Sequence, residues 1–163
     1  MKILISFFCL FFTIHSFAQP RIKARELLTE FIDDFRANSE VDYGVMDDES
    51  FRAQRDYIHS LTMNQELRIK ISIPKADDYS GLAEEVAEYE SFFMERSEGN
   101  PELFYKVDRP NVKGYMTVRE NDCSAILLAF DKYFITMDVS NTTDLDDLKA
   151  VFRAIEFRSL SLE

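Results

Sequence analysis

A chain of 163 residues with a formal net charge of −11 and a pI near 4.7 is a poor match for nucleic acid or an anionic membrane surface, since both need clustered Lys and Arg. Its acidity reads instead as surface charge that keeps a domain in solution. Two cysteines and two histidines leave little material for a thiol, zinc or histidine-based centre.

The first element is a leader. Met1-Lys2 is a short basic start, and Ile3 to Ile14 is apolar apart from Ser6 and Thr13. Ser16-Phe17-Ala18 then sets small residues where a signal peptidase reads them, so cleavage after Ala18 is expected. The apolar run has 12 residues, short of the roughly 20 a spanning helix needs, which argues against an integral anchor after cleavage. Cys9 follows Phe8 and lies away from the cleavage point, which argues against lipidation. Removing residues 1–18 leaves 145 residues with 18 Lys and Arg against 30 Asp and Glu, a net charge of −12. Cys123 and His59 are then the remaining cysteine and histidine, so no internal disulfide is expected. Residues 19–163 are long enough to bury a core as a single domain.

Along that domain, Pro20 opens a predicted helix whose stripe is Ile22, Leu28, Phe31, Ile32 and Phe35, ending near Asn38-Ser39. Asp47-Asp48-Glu49-Ser50 has the form of a second helix start, with Phe51, Ile58 and Leu61 as the buried stripe. The period then changes. Leu67, Ile69, Ile71 and Ile73 alternate with Arg68, Lys70 and Ser72, a half-buried strand that Pro74 stops. Asp77-Asp78-Tyr79-Ser80 starts a third helix with Leu82, Val86, Tyr89 and Phe93 on one face, and Gly99-Asn100-Pro101 ends it. Two short strands follow, Leu103 to Val107 and Tyr115 to Arg119.

Cys123 to Val139 organises the rest. Cys123 to Phe130 is almost continuously apolar, as in a strand covered on both faces, and Asp131-Lys132 turns the chain. Tyr133, Ile135, Met137 and Val139 then alternate with Thr136 and Asp138, with Phe134 as the exception, so this strand has a partly wet face. Thr143 with Asp146 resembles a capping box for a last helix with stripe Leu145, Leu148, Val151, Phe152 and Ile155, and Phe157 to Leu162 forms a strand-like tail. The order α-α-β-α-β-β-β-β-α predicts an α+β two-layer domain: an antiparallel β-meander sheet packed with about four helices.

Chemistry is thinly represented. His59 reads as a boundary residue of the second helix, and Cys123 as a buried structural thiol with no adjacent cation to lower its pKa. Asp138, Asp144, Asp146 and Asp147 are dense enough to suggest calcium, but an EF-hand register from Asp138 meets Thr143 where glycine belongs and Lys149 where glutamate belongs. No catalytic, cofactor or metal residue is therefore assigned. One constellation stands out: Arg68 and Lys70 share the polar face of one strand, and Lys106 and Arg119 on neighbouring strands would join them as a basic patch for an acidic ligand or protein partner.

The stretch Tyr133 to Phe152, YFITMDVSNTTDLDDLKAVF, running from a strand into a last helix, together with the leader ending SFAQ, resembles a domain-of-unknown-function family of short exported Bacteroidetes proteins. That resemblance covers about the C-terminal third and implies an envelope location without an assigned activity; Ser140-Asn141 stands where the family has glycine. The expected function is an exported, non-catalytic binding or adaptor domain of the bacterial envelope, in the periplasm or outside the cell. The alternatives are a small hydrolase using a carboxylate pair and a carrier of an apolar ligand. The intact mass of the exported protein is expected to correspond to Gln19 as first residue. A mature chain that retains Met1 to Ala18, or carries lipid, would overturn the export argument.

Overall fold

The computed structural model describes residues 20–75, 79–97 and 100–161. The leader and its cleavage point, the Asp77-Asp78 helix start, Gly99 and the last residues of the tail lie outside the described residues. The elements run α1 (20–26), β1 (Phe31–Ile32), β2 (Phe35–Ala37), β3 (Asp42–Val45), β4 (Phe51–His59), β5 (Glu66–Ile73), α2 (Tyr79–Arg96), β6 (Phe104–Arg109), β7 (Val112–Arg119), β8 (Asp122–Ala129), β9 (Tyr133–Val139) and α3 (Leu145–Ala154). The chain closes on a 3₁₀ turn at Phe157–Leu160, not on a strand.

The expected fold class needs correcting. Among the described residues nine strands form one antiparallel sheet in the order β1-β2-β4-β5-β9-β8-β7-β6, with β3 also paired to β4, and three α-helices accompany it instead of about four. The predicted second helix is the β3–β4 hairpin. Its acidic start supplies the turn: Asp48 Oδ1 accepts from the Ser50 backbone N–H at 3.0 Å and its hydroxyl at 2.6 Å, and Glu49 has φ of 64°. A side-chain oxygen bonding a backbone N–H two residues on serves a helix cap or a turn equally. Pairing with β5 over eight registered positions, Phe51↔Ile73 to Ile58↔Glu66, decides for the strand.

The first helix likewise stops early. After 20–26 the chain makes the β1–β2 hairpin about Asp33, with φ of 52°, and of the predicted stripe Ile22 and Phe31 are exposed. The β5 strand, the β8–β9 hairpin, α2 and α3 agree with the sequence reading. The cap of α3 is Asp144, which accepts from Asp146 N–H at 2.8 Å, in place of the expected Thr143.

Register explains the core. Tyr57, Leu67, Val139 and Cys123 lie in one row across β4, β5, β9 and β8, with Ile69, Met137 and Ala125 in the next long row of the same face. All of these are buried. Leu148, Val151 and Phe152 of α3 and Ala24 of α1 belong to the same cluster, so two helices share this inner face. The opposite face receives α2, which packs over β6, β7 and β8. The architecture is thus three-layered, helix–sheet–helix, where α2 covers β6, β7 and β8, and two-layered elsewhere, not two-layered throughout.

Gly114 sits where β7 and β8 leave no room for a side chain. It has φ of +144°, and a Cβ there would stand 2.1 Å from the Ile126 carbonyl oxygen on β8. Gly114→Ala should therefore destabilise the fold by about 3 kcal/mol or more, read as a lower urea midpoint. An unchanged midpoint would show that β7 and β8 are not held at this separation.

Candidate functional site: the open half of the sheet

The outer face is wide, and among the described residues one helix, α2, packs on part of it. Six long strands at about 4.8 Å spacing span roughly 24 Å, more than twice the roughly 10 Å width of a helix. On β4, β5 and β9 every outward residue, from Arg52 to Ile58, Glu66 to Ser72 and Phe134 to Asp138, is exposed or half-buried. Phe134, the exception in the alternation, sits half-buried on this face between Ser72 and Leu128.

The four residues of the predicted patch do share this face, yet not as one positive surface. Arg68 Nε donates to Asp56 Oδ1 at 2.7 Å, and its other neighbour in register, on β9, is Asp138. These carboxylates hold the guanidinium still more firmly protonated than usual. Lys70 is half-buried between Gln54 and Thr136. Lys106 lies on the far strand β6, where Glu90 of α2 sits 2.6 Å from its ammonium and raises its pKa. Arg119 ends β7 with its guanidinium 4.7 Å from the centre of the Phe93 ring of α2. Arg68 and Lys70 are therefore brought together, while Lys106 and Arg119 are engaged by α2.

Asp56–Arg68–Asp138–Ser124 form one cross-strand row on β4, β5, β9 and β8, and Asp138 Oδ1 accepts from the Ser124 hydroxyl at 2.7 Å. The row forms part of the wall of a groove of about 370 Å³ that also includes Glu66, Asp122, Ser140 and Arg119. Sequence reasoning found Arg68 but missed its flanking aspartates. Asp56 lay in a stretch read as helix, and pairing across strands is not visible in linear spacing.

The other candidates have structural roles. His59 ends β4, packs edge-on against Phe35 at 5.1 Å, and its Nδ1 accepts from the backbone N–H of Leu61 and Thr62. Asp144 and Asp146 serve α3, Asp146 beside Lys149 at 2.8 Å, and Asp147 accepts from the Thr142 hydroxyl at 2.7 Å. Among the described residues no three His, Cys, Asp or Glu side chains come together to hold a metal ion. Cys123 is fully buried, with its Sγ 3.6 Å from the Thr142 carbonyl. Burial first, and Asp147, Asp144 and Asp122 after it, push the thiol up to about 11.

No family model and no curated protein matches the chain. The crystal structure of a GTP binding regulator from Thermotoga maritima is similar to it at 13% identity, over 83% of this chain and 87% of the other, with a TM-score of 0.43. A likeness that distant transfers no property to this protein.

The thiol yields a pH prediction. In the unfolded chain it ionises near 9.0, in the folded protein at about 11, so between those values the native state retains a proton that the unfolded state has lost. Stability should fall as pH rises through this window, and Cys123→Ala should flatten that part of the curve. Tyr57 and Tyr115, whose hydroxyls burial also raises, should extend the loss to higher pH. Urea denaturation at a series of pH values checks this, and equal slopes for wild type and variant between pH 9.0 and about 11 would refute it.

Proposed function

We propose that the protein is an exported, non-catalytic binding or adaptor domain of the bacterial envelope, and that it holds a protein partner on the open half of its sheet. The observation that supports this most directly is the uncovered outer face of β4, β5 and β9, where a rigid nine-stranded sheet presents side chains in fixed rows. Arg52, Arg68 and Lys70 place cations there in a chain of net charge −11. Asp56, Glu66 and Asp138 lie on the same face, with Arg68 in register between Asp56 and Asp138. Such a surface suits a partner that sets carboxylates against the three cations and cations against the three acids. Mixed charge of this kind selects by register, because a shifted partner meets like charges. The SFAQ leader supports export. The same arrangement weakens the hydrolase alternative, since Arg68 stands in register between Asp56 and Asp138.

The test is partner capture from native envelope extract by wild type and by the double variant Arg68→Glu/Lys70→Glu, at low and high salt. The variant should lose the partner that wild type retains at low salt. It should also unfold slightly more easily, because the new carboxylate at position 68 faces Asp56 and Asp138. Capture of the same partner with the same salt response would sink the proposal.

A further inference from the structure

A second cavity lies beside the open half-face, between the C-terminal half of α2 and the end of β7. It measures about 560 Å³, within the range of small-molecule sites. Helix spacing builds one wall: Tyr89, Phe92, Phe93 and Arg96 recur at i, i+3, i+4 and i+7 and so share a face. Strand β7 builds the other with Thr117, Val118 and Arg119.

Three features of this cleft are unusual for a helix resting on a sheet. Tyr89 is 49% and Phe92 51% exposed, so large rings that would ordinarily be buried stand at the mouth. Below them the rings continue inward: Phe92 meets Phe93 edge-on at 5.2 Å, Phe93 lies 5.4 Å from Tyr115, and Tyr115 stacks on Phe104 at 5.9 Å. Two guanidiniums flank that ladder, Arg96 at 5.6 Å from Phe92 and Arg119 at 4.7 Å from Phe93. Glu120 is the carboxylate of the lining, set against two cations.

We infer that this cleft binds a small aromatic carboxylate, its ring extending the ladder at Phe92 and its carboxylate held between Arg96 and Arg119. Flat rings favour edge-on or offset contact with Phe and Tyr, and a planar guanidinium matches a carboxylate in two parallel hydrogen bonds. A neutral aromatic would leave two cations in the cleft against the one carboxylate of Glu120, and a plain inorganic anion would leave the exposed rings wet. The inference does not depend on the proposed partner surface, since Arg68 and Lys70 are not part of the cleft.

The probe is 2-naphthoate, with 2-naphthamide as its neutral counterpart, titrated into the full exported chain and followed by calorimetry and by amide shifts in NMR. Naphthoate should bind at least tenfold more tightly than naphthamide, with shifts centred on 89–97 and 117–120. Arg96→Met and Arg119→Met, which keep an apolar stem, should each remove most of that preference, whereas Phe92→Ser should weaken both compounds. Position 96 is exposed and position 92 half exposed, so these variants retain the fold, which circular dichroism verifies. Equal affinity for the two compounds, shifts elsewhere on the sheet, or an undiminished preference in Arg96→Met would overturn the assignment.

Discussion

Everything in this molecule depends on the pairing of β5 with β9. Leu67 faces Val139, Ile69 faces Met137 and Ile71 faces Ile135, and all six are fully buried. Burying an aliphatic side chain of this size is worth roughly 1.5–3 kcal/mol, so these three rows contribute far more than any surface contact of the protein. The pairing joins two pieces that would otherwise be separate, the β4–β5 hairpin and the β6–β9 meander. A contact between positions about seventy apart closes a long loop, whose entropy cost the apolar rows must exceed.

That one pairing also dictates where function can lie. With β5 in the middle of the sheet and β6 at its edge, α2 must cross from one to the other, and it passes over the outer face of β6, β7 and β8. The inner face already holds α1, α3 and the terminal turn with Leu160. One helix then serves a six-strand-wide outer face, and the uncovered strands are those nearest the junction. The aromatic cleft lies between the C-terminal half of α2 and the end of β7, where Phe93 rests on Tyr115 while Tyr89 and Phe92 stay half exposed.

The charges of the open half-face do not hold the fold together. Arg68 and Asp56 are both substantially exposed, and ion pairs of that kind contribute little to stability. Their value lies in order. A sheet places each charge at a fixed distance from the next, so rigidity comes from the buried rows beneath and selectivity from the wet rows above.

Where local pattern and tertiary demand agree, the sequence was legible. The strict alternation of Leu67 to Ile73, the apolar run from Cys123 and the stripe of α3 each allow one reading, because burial on one or both faces imposes its own period. Where local chemistry allows two structures, it misled. Asp47 to Ser50 satisfies a helix start or a hairpin turn with the same oxygen, and Phe51, Ala53 and Tyr57 carry a strand period that Arg55, bonded inward to the Leu28 carbonyl, interrupts. Arg55 is a half-buried cation on the inner side, made acceptable by the carbonyl oxygens of Leu28 and Ser39 that accept from it.

The candidate site divides along the same line. That Arg68 and Lys70 point together away from the core follows from period two alone, and the buried, inert Cys123 follows from the apolar run around it. That Arg68 lies between Asp56 and Asp138, that Lys106 and Arg119 belong to α2's surroundings, and that half of the outer face stays open follow from strand order. Strand order is set by which apolar rows match across distant segments. Linear spacing carries no record of that choice, because the energy that makes it exists only once the strands have met.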